Sequence, residues 1–276
     1  MKNDKLFVLI STYNNRIEMV EHIVQEPTEN ISYIISHQVI DLLNIQAQQI
    51  VETLKKREDV KYLSMNSMGL AKNRNNTLKY IDPSSICMIL DDDITLCKDS
   101  LKKVLESFHS RPEVDFITFK MLDERHQAYK YYPSQTKQHT WKSLTSVSSV
   151  EMAFRSDIIL KYQIKFDERF GIGTDMFPSG EDYIFAMDLH RKNINMWYVP
   201  ISTVIHPSIS TGYKMSKKGF FAKGAVFARV FGIKSYIIDF LFAIKHYNEY
   251  HLEFSFFESL LSMWKGSYSF MKSNKL

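Results

Sequence analysis

Ile86-Cys87-Met88-Ile89-Leu90-Asp91-Asp92-Asp93 joins an unbroken apolar run to three adjacent acids. A short apolar run with no polar alternation fits a strand covered on both faces. The acids then fall at its carboxyl end, where open α/β sheets hold their ligands. Neighbouring carboxylates repel one another and are costly to desolvate unless a cation or a hydrogen-bond network compensates them. That cost favours a ligand-bearing loop and makes this the place for a metal. A solvated turn leading into a helix over 98–109 is the competing reading, and the triplet alone does not separate the two.

Upstream, Leu6-Phe7-Val8-Leu9-Ile10 repeats the pattern and ends in the polar loop Ser11-Thr12-Tyr13-Asn14-Asn15. Between these strands the spacing predicts a helix over 16–25, a strand over 31–35, a helix over 41–57, a strand over 60–65, and a helix over 70–80 opened by Gly69. Strands alternating with helices predict an α/β fold with a parallel sheet and right-handed crossovers, a Rossmann-like half over the first ~110 residues. The loops at Thr12, His37 and Asp91 should then converge. Beyond Arg111-Pro112 a strand is expected over 114–121, loops and short strands suited to acceptor binding over 127–150, a helix over 182–191, a strand over 194–199 and a further segment over 201–206.

The composition, 276 residues with 45% hydrophobic and 24% charged content, is that of an ordinary globular chain. Cys87 and Cys97 form neither a disulfide framework nor a metal-binding pair, which suits a reducing compartment. Positions 1–5 lack the long apolar region of a secretory leader, so a cytoplasmic location is expected. The net charge of +4 is unevenly spread: from 211 onward ten Lys or Arg face four Asp or Glu, a surplus of +6 that leaves the first 210 residues at −2. The basic stretch 211–276 carries sixteen aromatic residues. Its apolar runs, 237–244 and 254–264, are interrupted by Asp239 and Glu258 and are too short to span a bilayer. Two readings of it stand: amphipathic helices peripheral on the anionic inner face of the plasma membrane, or helices packed on the rest of the chain or against a second copy as a homodimer. Nucleic acid is not an expected partner, because no recognition motif accompanies the basic surplus.

Three further features join the acids. Gly69-Leu70-Ala71-Lys72-Asn73-Arg74-Asn75 puts a cation and amides on an opening helix. Gly180-Glu181-Asp182 puts two acids at a helix N-terminus, and Val204-Ile205-His206-Pro207 ends a strand on an imidazole. Each has a plain structural explanation: a surface charge for Arg74, a favourable dipole contact for Glu181 and Asp182, a hydrogen-bonded core residue for His206. In this order, with Ser11-Thr12-Tyr13-Asn14, the Asp91-x-Asp93 pattern and Val199-Pro200, the chain resembles the family 2 glycosyltransferases of the GT-A fold over roughly residues 5–210. Thr77, where that family usually has glycine, and Asn73, where it has a small residue, depart from the pattern and bear on helix packing. The Gln-x-x-Arg-Trp motif and membrane helices of the processive synthases are missing, which implies addition of one sugar per encounter.

The resemblance implies a GT-A mixed sheet with flanking helices over 1–210, its nucleotide-sugar half over about 1–110 and its acceptor half over about 111–210, followed by a helical C-terminal region over 211–276. It implies inverting transfer from a nucleotide-diphosphate-sugar, by preference a UDP-sugar, to a saccharide acceptor that is lipid-linked if the tail lies on a membrane. Polysaccharide, lipopolysaccharide or capsule assembly is the implied setting. A divalent ion, Mn2+ or Mg2+, would stabilise charge developing on the diphosphate, with Asp93 as first-choice ligand, Asp91 contacting the ion through water or holding the ribose, and His206 completing the set. Thr12, Tyr13, Asn14, Arg74, Asp91 and Asp92 would hold the donor. Asp182 is the family-matched general base and Glu181 would orient the acceptor. The loop 208–218, with Gly212, Lys214, Lys217 and Lys218, is either a cover over the diphosphate or a solvated basic linker. Two rival classes remain. Asp91-Asp92-Asp93-Ile94-Thr95 also fits the Asp-x-Asp-x-Thr signature of haloacid-dehalogenase-type phosphatases, with Asp91 as nucleophile, although there the motif normally ends the first strand. The other is a non-catalytic nucleotide- or carbohydrate-binding protein.

Overall fold

The computed structural model describes residues 5–207 and 216–273. In chain order its elements are β1 (Leu6–Tyr13), α1 (Ile17–Val20), β2 (Ile31–Gln38), α2 (Ile45–Lys55), β3 (Val60–Met65), α3 (Leu70–Leu78), β4 (Ile86–Asp91), β5 (Thr95–Leu96), α4 (Ser100–His109), β6 (Phe116–Leu122), β7 (Lys137–Gln138), β8 (Met152–Arg155), α5 (Ser156–Tyr162), α6 (Glu181–His190), β9 (Met196–Ile205), α7 (Lys217–Phe231), α8 (Ser235–Lys245), α9 (Tyr247–Tyr250) and α10 (Phe256–Ser273). The strands form one mixed sheet in the order β3-β2-β1-β4-β8-β6-β9-β5, with β7 pairing on β9. The first four of these are parallel, and β8 runs antiparallel to both β4 and β6.

The unbroken apolar runs of β1 and β4 are explained by burial on both faces. Phe7, Leu9, Cys87 and Ile89 enter one hydrophobic core, while Leu6, Val8, Ile10, Ile86, Met88 and Leu90 enter the other. Residues two apart on a strand share a face, so one continuous run feeds two layers of helices. In the register that results, Ser11 pairs with Asp91, Thr12 with His37 and Tyr13 with Gln38, which brings the three expected loops to one edge.

The structure corrects the expected elements in four places. The helix over 16–25 is only a 3-10 turn at Asn14–Arg16 followed by the single turn α1. Ile17, Val20 and Ile23 are all buried, a three-residue spacing that suits a tighter winding than the α-helix. The helix expected from 41 begins at Ile45, where the Asn44 side chain accepts from the Ala47 N–H. The strand over 194–199 and the segment over 201–206 are one strand, β9, with its register against β6 shifted around Pro200. Finally β8 and α5 lie just past the stretch read as loops, after a capping box formed by Ser148 and Glu151.

Of the two readings of the basic C-terminal stretch, packing on the rest of the chain holds for its inner helices. Phe220, Ala225, Val226, Phe227 and Phe270 belong to the same core as β1 and α6, so α7 and the inner face of α10 are packed on the rest of the chain. The two helices cross closely at glycines: a Cβ on Gly224 would stand 2.0 Å from the Met263 carbonyl oxygen, and one on Gly266 1.9 Å from that of Phe221. The outer faces of α8 and α10 remain exposed. Among the described residues no helix is long and apolar enough to cross a membrane.

Candidate active site

Arg74 lies in the second turn of α3, where the helix faces the carboxyl ends of β1 and β4, and is buried. Its Nη2 donates to both oxygens of Asp91, at 2.9 and 3.1 Å, while Nη1 donates to Glu181 Oε1 at 3.2 Å and Asp182 Oδ1 at 2.8 Å. One cation therefore gathers three carboxylates from β4 and α6. The fork geometry of a guanidinium, with donors on two edges, is what allows it. Burial pushes Glu181 up to about 7, helped by the charge of Asp182 and opposed by Arg74. Arg74 itself is held firmly protonated by its three acids against the cost of burial. Asp182 accepts a second hydrogen bond, on Oδ2, from the Ser149 N–H at 2.8 Å.

The residue next to Arg74 performs a separate task. Asn75 accepts from the Phe166 N–H at 2.8 Å and donates to the Phe166 carbonyl at 2.9 Å, fixing the loop that runs on to Gly180. That loop must come close. Gly171, at φ +104°, lies where a Cβ would stand 3.0 Å from Glu181 Cδ, and the Ile172 carbonyl accepts from the Leu70 N–H. Asn73, expected to matter only for packing, donates to the Thr12 carbonyl at 2.9 Å and so ties α3 to the end of β1.

Between these walls lies a cavity of about 420 Å³ lined by Thr12, Tyr13, Asp91, Asp92, Asp93 and Gly173, among others. Ser11 Oγ, Asn73 Oδ1 and Asp93 Oδ1 are among the buried polar atoms of its lining that have no hydrogen-bond partner. Buried polar groups in folded proteins are nearly always hydrogen-bonded, so such a set prepares the cavity for a polar ligand. A second cavity of about 260 Å³, lined by Glu181, Asp182, Val147 and Lys223, meets the first at Ile172. The arrangement thus offers one chamber beside the strand-end acids and another in front of Asp182.

His206, at the end of β9, donates from Nδ1 to the Pro207 carbonyl at 2.8 Å, which leaves Nε2 with its lone pair when the ring is neutral. Nε2 faces the unpartnered Asp93 Oδ1 at 3.8 Å. Two lone-pair atoms turned toward each other fit a divalent cation between them. Among the described residues no three His, Cys, Asp or Glu side chains converge as a ready-made metal site, because Asp91 has both oxygens on Arg74. Of the three expected metal ligands, Asp93 and His206 face one another, and Asp91, expected to act through water or on the ribose, has both oxygens on Arg74. A facing pair of this kind fits the one or two protein ligands that Mn2+ or Mg2+ commonly takes alongside phosphates and water.

Asn14 is not brought into the cavity. Its Nδ2 donates to Asp41 at 2.6 Å and its Oδ1 accepts from the Ile40 N–H, which spends the side chain on the loop before α2. Sequence reading missed Arg16 and Gln38. Arg16 donates to Asp92 and, at 3.0 Å, to Asp93, and buried Gln38 donates to the Gly69 carbonyl at 3.1 Å. Asp92 is pushed above the usual carboxylate range by burial, with Arg16 pulling the other way. Of the loop 208–218, positions 208–215, including Gly212 and Lys214, lie outside the described residues.

No family model matches the sequence, and no curated protein is similar to it at a significant level. Solved structures do match. Residues 1–349 of TarS from S. aureus align over 90% of this chain and 73% of theirs, with a TM-score of 0.63 and 17% identity. The same protein in complex with UDP-GlcNAc aligns over 88% and 73%, with a TM-score of 0.64 and 17% identity. In complex with UDP it aligns over 90% and 73%, with a TM-score of 0.62 and 18% identity. The fold is the GT-A fold of the glycosyltransferases. In the GT-A fold of this chain the two chambers open at the carboxyl ends of β1, β2 and β4 and at the N-terminus of α6.

Proposed function

We propose that this protein is an inverting, metal-dependent glycosyltransferase that moves one sugar from a UDP-sugar to a saccharide acceptor in polysaccharide, lipopolysaccharide or capsule assembly. The observation that carries the reading is Arg74, a buried cation that ties the donor-side acid Asp91 to the acceptor-side acids Glu181 and Asp182. The UDP-GlcNAc and UDP complexes of TarS support the choice of donor. In this reading Thr12, Tyr13 and the unpartnered groups of the larger cavity receive the nucleotide, and Asp93 with His206 holds Mn2+ or Mg2+. The ion, when bound, supplies positive charge for the departing diphosphate. Asp182, fixed by Arg74 and the Ser149 N–H, takes the acceptor hydroxyl proton onto its carboxylate, and attack from that side inverts the anomeric centre. Glu181 carries no proton-transfer step; buried against Gly171, it keeps Arg74 and the acceptor-side loop in place. The phosphatase reading is less well supported, since its motif normally ends the first strand whereas Asp91 ends the fourth, β4.

The test is a thermal-shift titration with UDP-, GDP-, CMP- and dTDP-sugars, with and without Mn2+. A ligand at 100 times its Kd stabilises the folded state by about 2.7 kcal/mol. The expected outcome is stabilisation by a UDP-sugar in the presence of Mn2+ that is lost in Asp93→Ala, whose melting temperature without ligand stays near that of the native protein. Donor affinity that survives this substitution, or excess chelator, rules out the metal assignment. A protein stabilised by none of the nucleotide-sugars overturns the whole reading.

A further inference from the structure

A third cavity, of about 410 Å³, lies beyond the acceptor chamber and shares Val147 with it. Its floor is the buried carboxylate of Glu151, which accepts from Lys130 Nζ at 2.6 Å, from the Ser148 N–H at 2.7 Å and from the Tyr132 hydroxyl. One wall is aromatic: Tyr132 and Tyr198 stack at 5.8 Å with their planes 15° apart. Tyr198 is 5% exposed and its hydroxyl has no partner. Such an atom, buried and lining a cavity, awaits a ligand. The rim carries Lys137 and Lys142. With Glu151 neutralised by Lys130, those two ammonium groups leave the cavity positive. His139 adds no charge near neutral pH, because burial pushes it down to about 4.

We propose that this cavity is a remote acceptor subsite, which binds a saccharide unit bearing an anionic group through the Tyr198 hydroxyl, the tyrosine wall and the rim lysines. The inference rests on the transferase reading for the word acceptor, while the binding of an anionic sugar is independent of it. A wall of aromatic carbons, a few fixed polar groups and this volume are the usual features of a small-molecule site. The position relative to the reaction centre follows from one short segment. The turn Ser149–Glu151 supplies Glu151 to the cavity floor and the Ser149 N–H to Asp182, so a saccharide anchored there extends past Val147 toward Asp182.

The experiment is saturation-transfer NMR on the full chain with glucuronic acid, glucose 6-phosphate and glucose as probes, each at about 10 mM, a concentration suited to weak sugar binding. The expected result is transfer to one or both charged sugars and little to glucose. Tyr198→Phe, which keeps the ring stack, and Lys137→Ala with Lys142→Ala should each weaken that binding about tenfold, the scale of a lost charge-assisted hydrogen bond or ion pair. Glucuronic acid and glucose 6-phosphate distinguish a carboxylate from a phosphate as the anion. The proposal is overturned if neither charged sugar is bound, if glucose binds as well as they do, or if the variants bind like the native protein. Asp93→Ala provides the separation from the proposed function. Charged-sugar binding should persist in it although UDP-sugar binding is lost, so a failure of the transferase reading leaves the subsite standing, and the reverse.

Discussion

Arg74 meets three carboxylates from two elements that are distant in sequence, and its guanidinium is 3% exposed. Replacing it by Met leaves Asp91, Glu181 and Asp182 buried or half-buried with no counter-charge. Removing one partner of a buried ionic network costs about 3–5 kcal/mol. Arg74→Met should therefore lower the unfolding free energy read from urea melts by that order, while Arg74→Lys, which keeps the charge but loses the fork, should recover only part of it. Asp182 is more open than Glu181 and fronts the acceptor chamber. Asp182→Asn should leave the UDP-sugar Kd within a few-fold of native and reduce turnover by at least about 100-fold, the scale of a lost general base. The NMR coupling of the product's anomeric proton checks the geometry: retention of configuration would falsify the role given to Asp182. Asp91, Glu181 and Asp182 were legible in the sequence because they stand at element boundaries, after an apolar run or at the start of a helix, and Arg74 because it lies on the helix that Gly69 opens. Arg16, Gln38 and the Ser149 N–H were not, since their roles arise only when separate loops approach in space.

At the scale of elements, legibility followed burial. The strand over 60–65 matches β3, and the long apolar runs of β1 and β4 were unambiguous because both of their faces are covered. The four-residue strand β8 carries too little pattern to be found, and both its neighbours, β4 and β6, lie well before it in the chain and run antiparallel to it. The α7, α8 and α10 cluster contains an element-scale device the sequence hid. Asp239 on α8 is fully buried beside Ser267 on α10, whose hydroxyl lies 2.9 Å from the Gly224 carbonyl and 2.7 Å from Asp239 Oδ2. The Ser267 hydroxyl has one proton for these two acceptors, so it compensates the buried carboxylate only in part. Burial accordingly pushes Asp239 up to about 7. A carboxyl whose pKa is higher in the folded state contributes stability that is present below its unfolded pKa and is lost as pH rises through its folded one. Between pH 4 and 8 the native protein should lose on the order of 3 kcal/mol from this group. Asp239→Asn, which donates from its amide at every pH, should flatten that part of the profile in chemical melts. An unchanged slope would show that Asp239 is ionised in the folded state.

For the whole molecule, the division of the C-terminal helices decides how the membrane reading is tested. Cutting the chain before α7 would strip Phe220, Val226 and Phe227 from the core, so truncation reports on folding and not on docking. The surface on which docking is to be tested is instead the exposed outer face of α8 and α10. Ile233, Ile237, Leu241 and Ile244 form one exposed stripe at helical spacing, and Phe257, Leu261, Trp264 and Tyr268 form another. Trp264 packs edge-on against Tyr236 and Phe256 against Phe240, so the two stripes are continuous. Lys245 stands four residues after Leu241 and Lys265 four after Leu261, which puts cations beside the apolar stripes. Apolar and aromatic side chains bordered by lysine match the boundary of an anionic bilayer, where each cation is worth about 1 kcal/mol, and we propose this surface as the contact that brings a lipid-linked acceptor to the enzyme. Ile237→Glu with Leu261→Glu changes only exposed positions and should leave the melting temperature and donor binding as they are. Native protein should co-sediment with phosphatidylglycerol vesicles at low salt and be released at high salt, and the double variant should stay in the supernatant. If the native protein ignores the vesicles and sediments as a dimer that the double variant breaks into monomers, the face is covered by a second copy and the membrane contact is excluded.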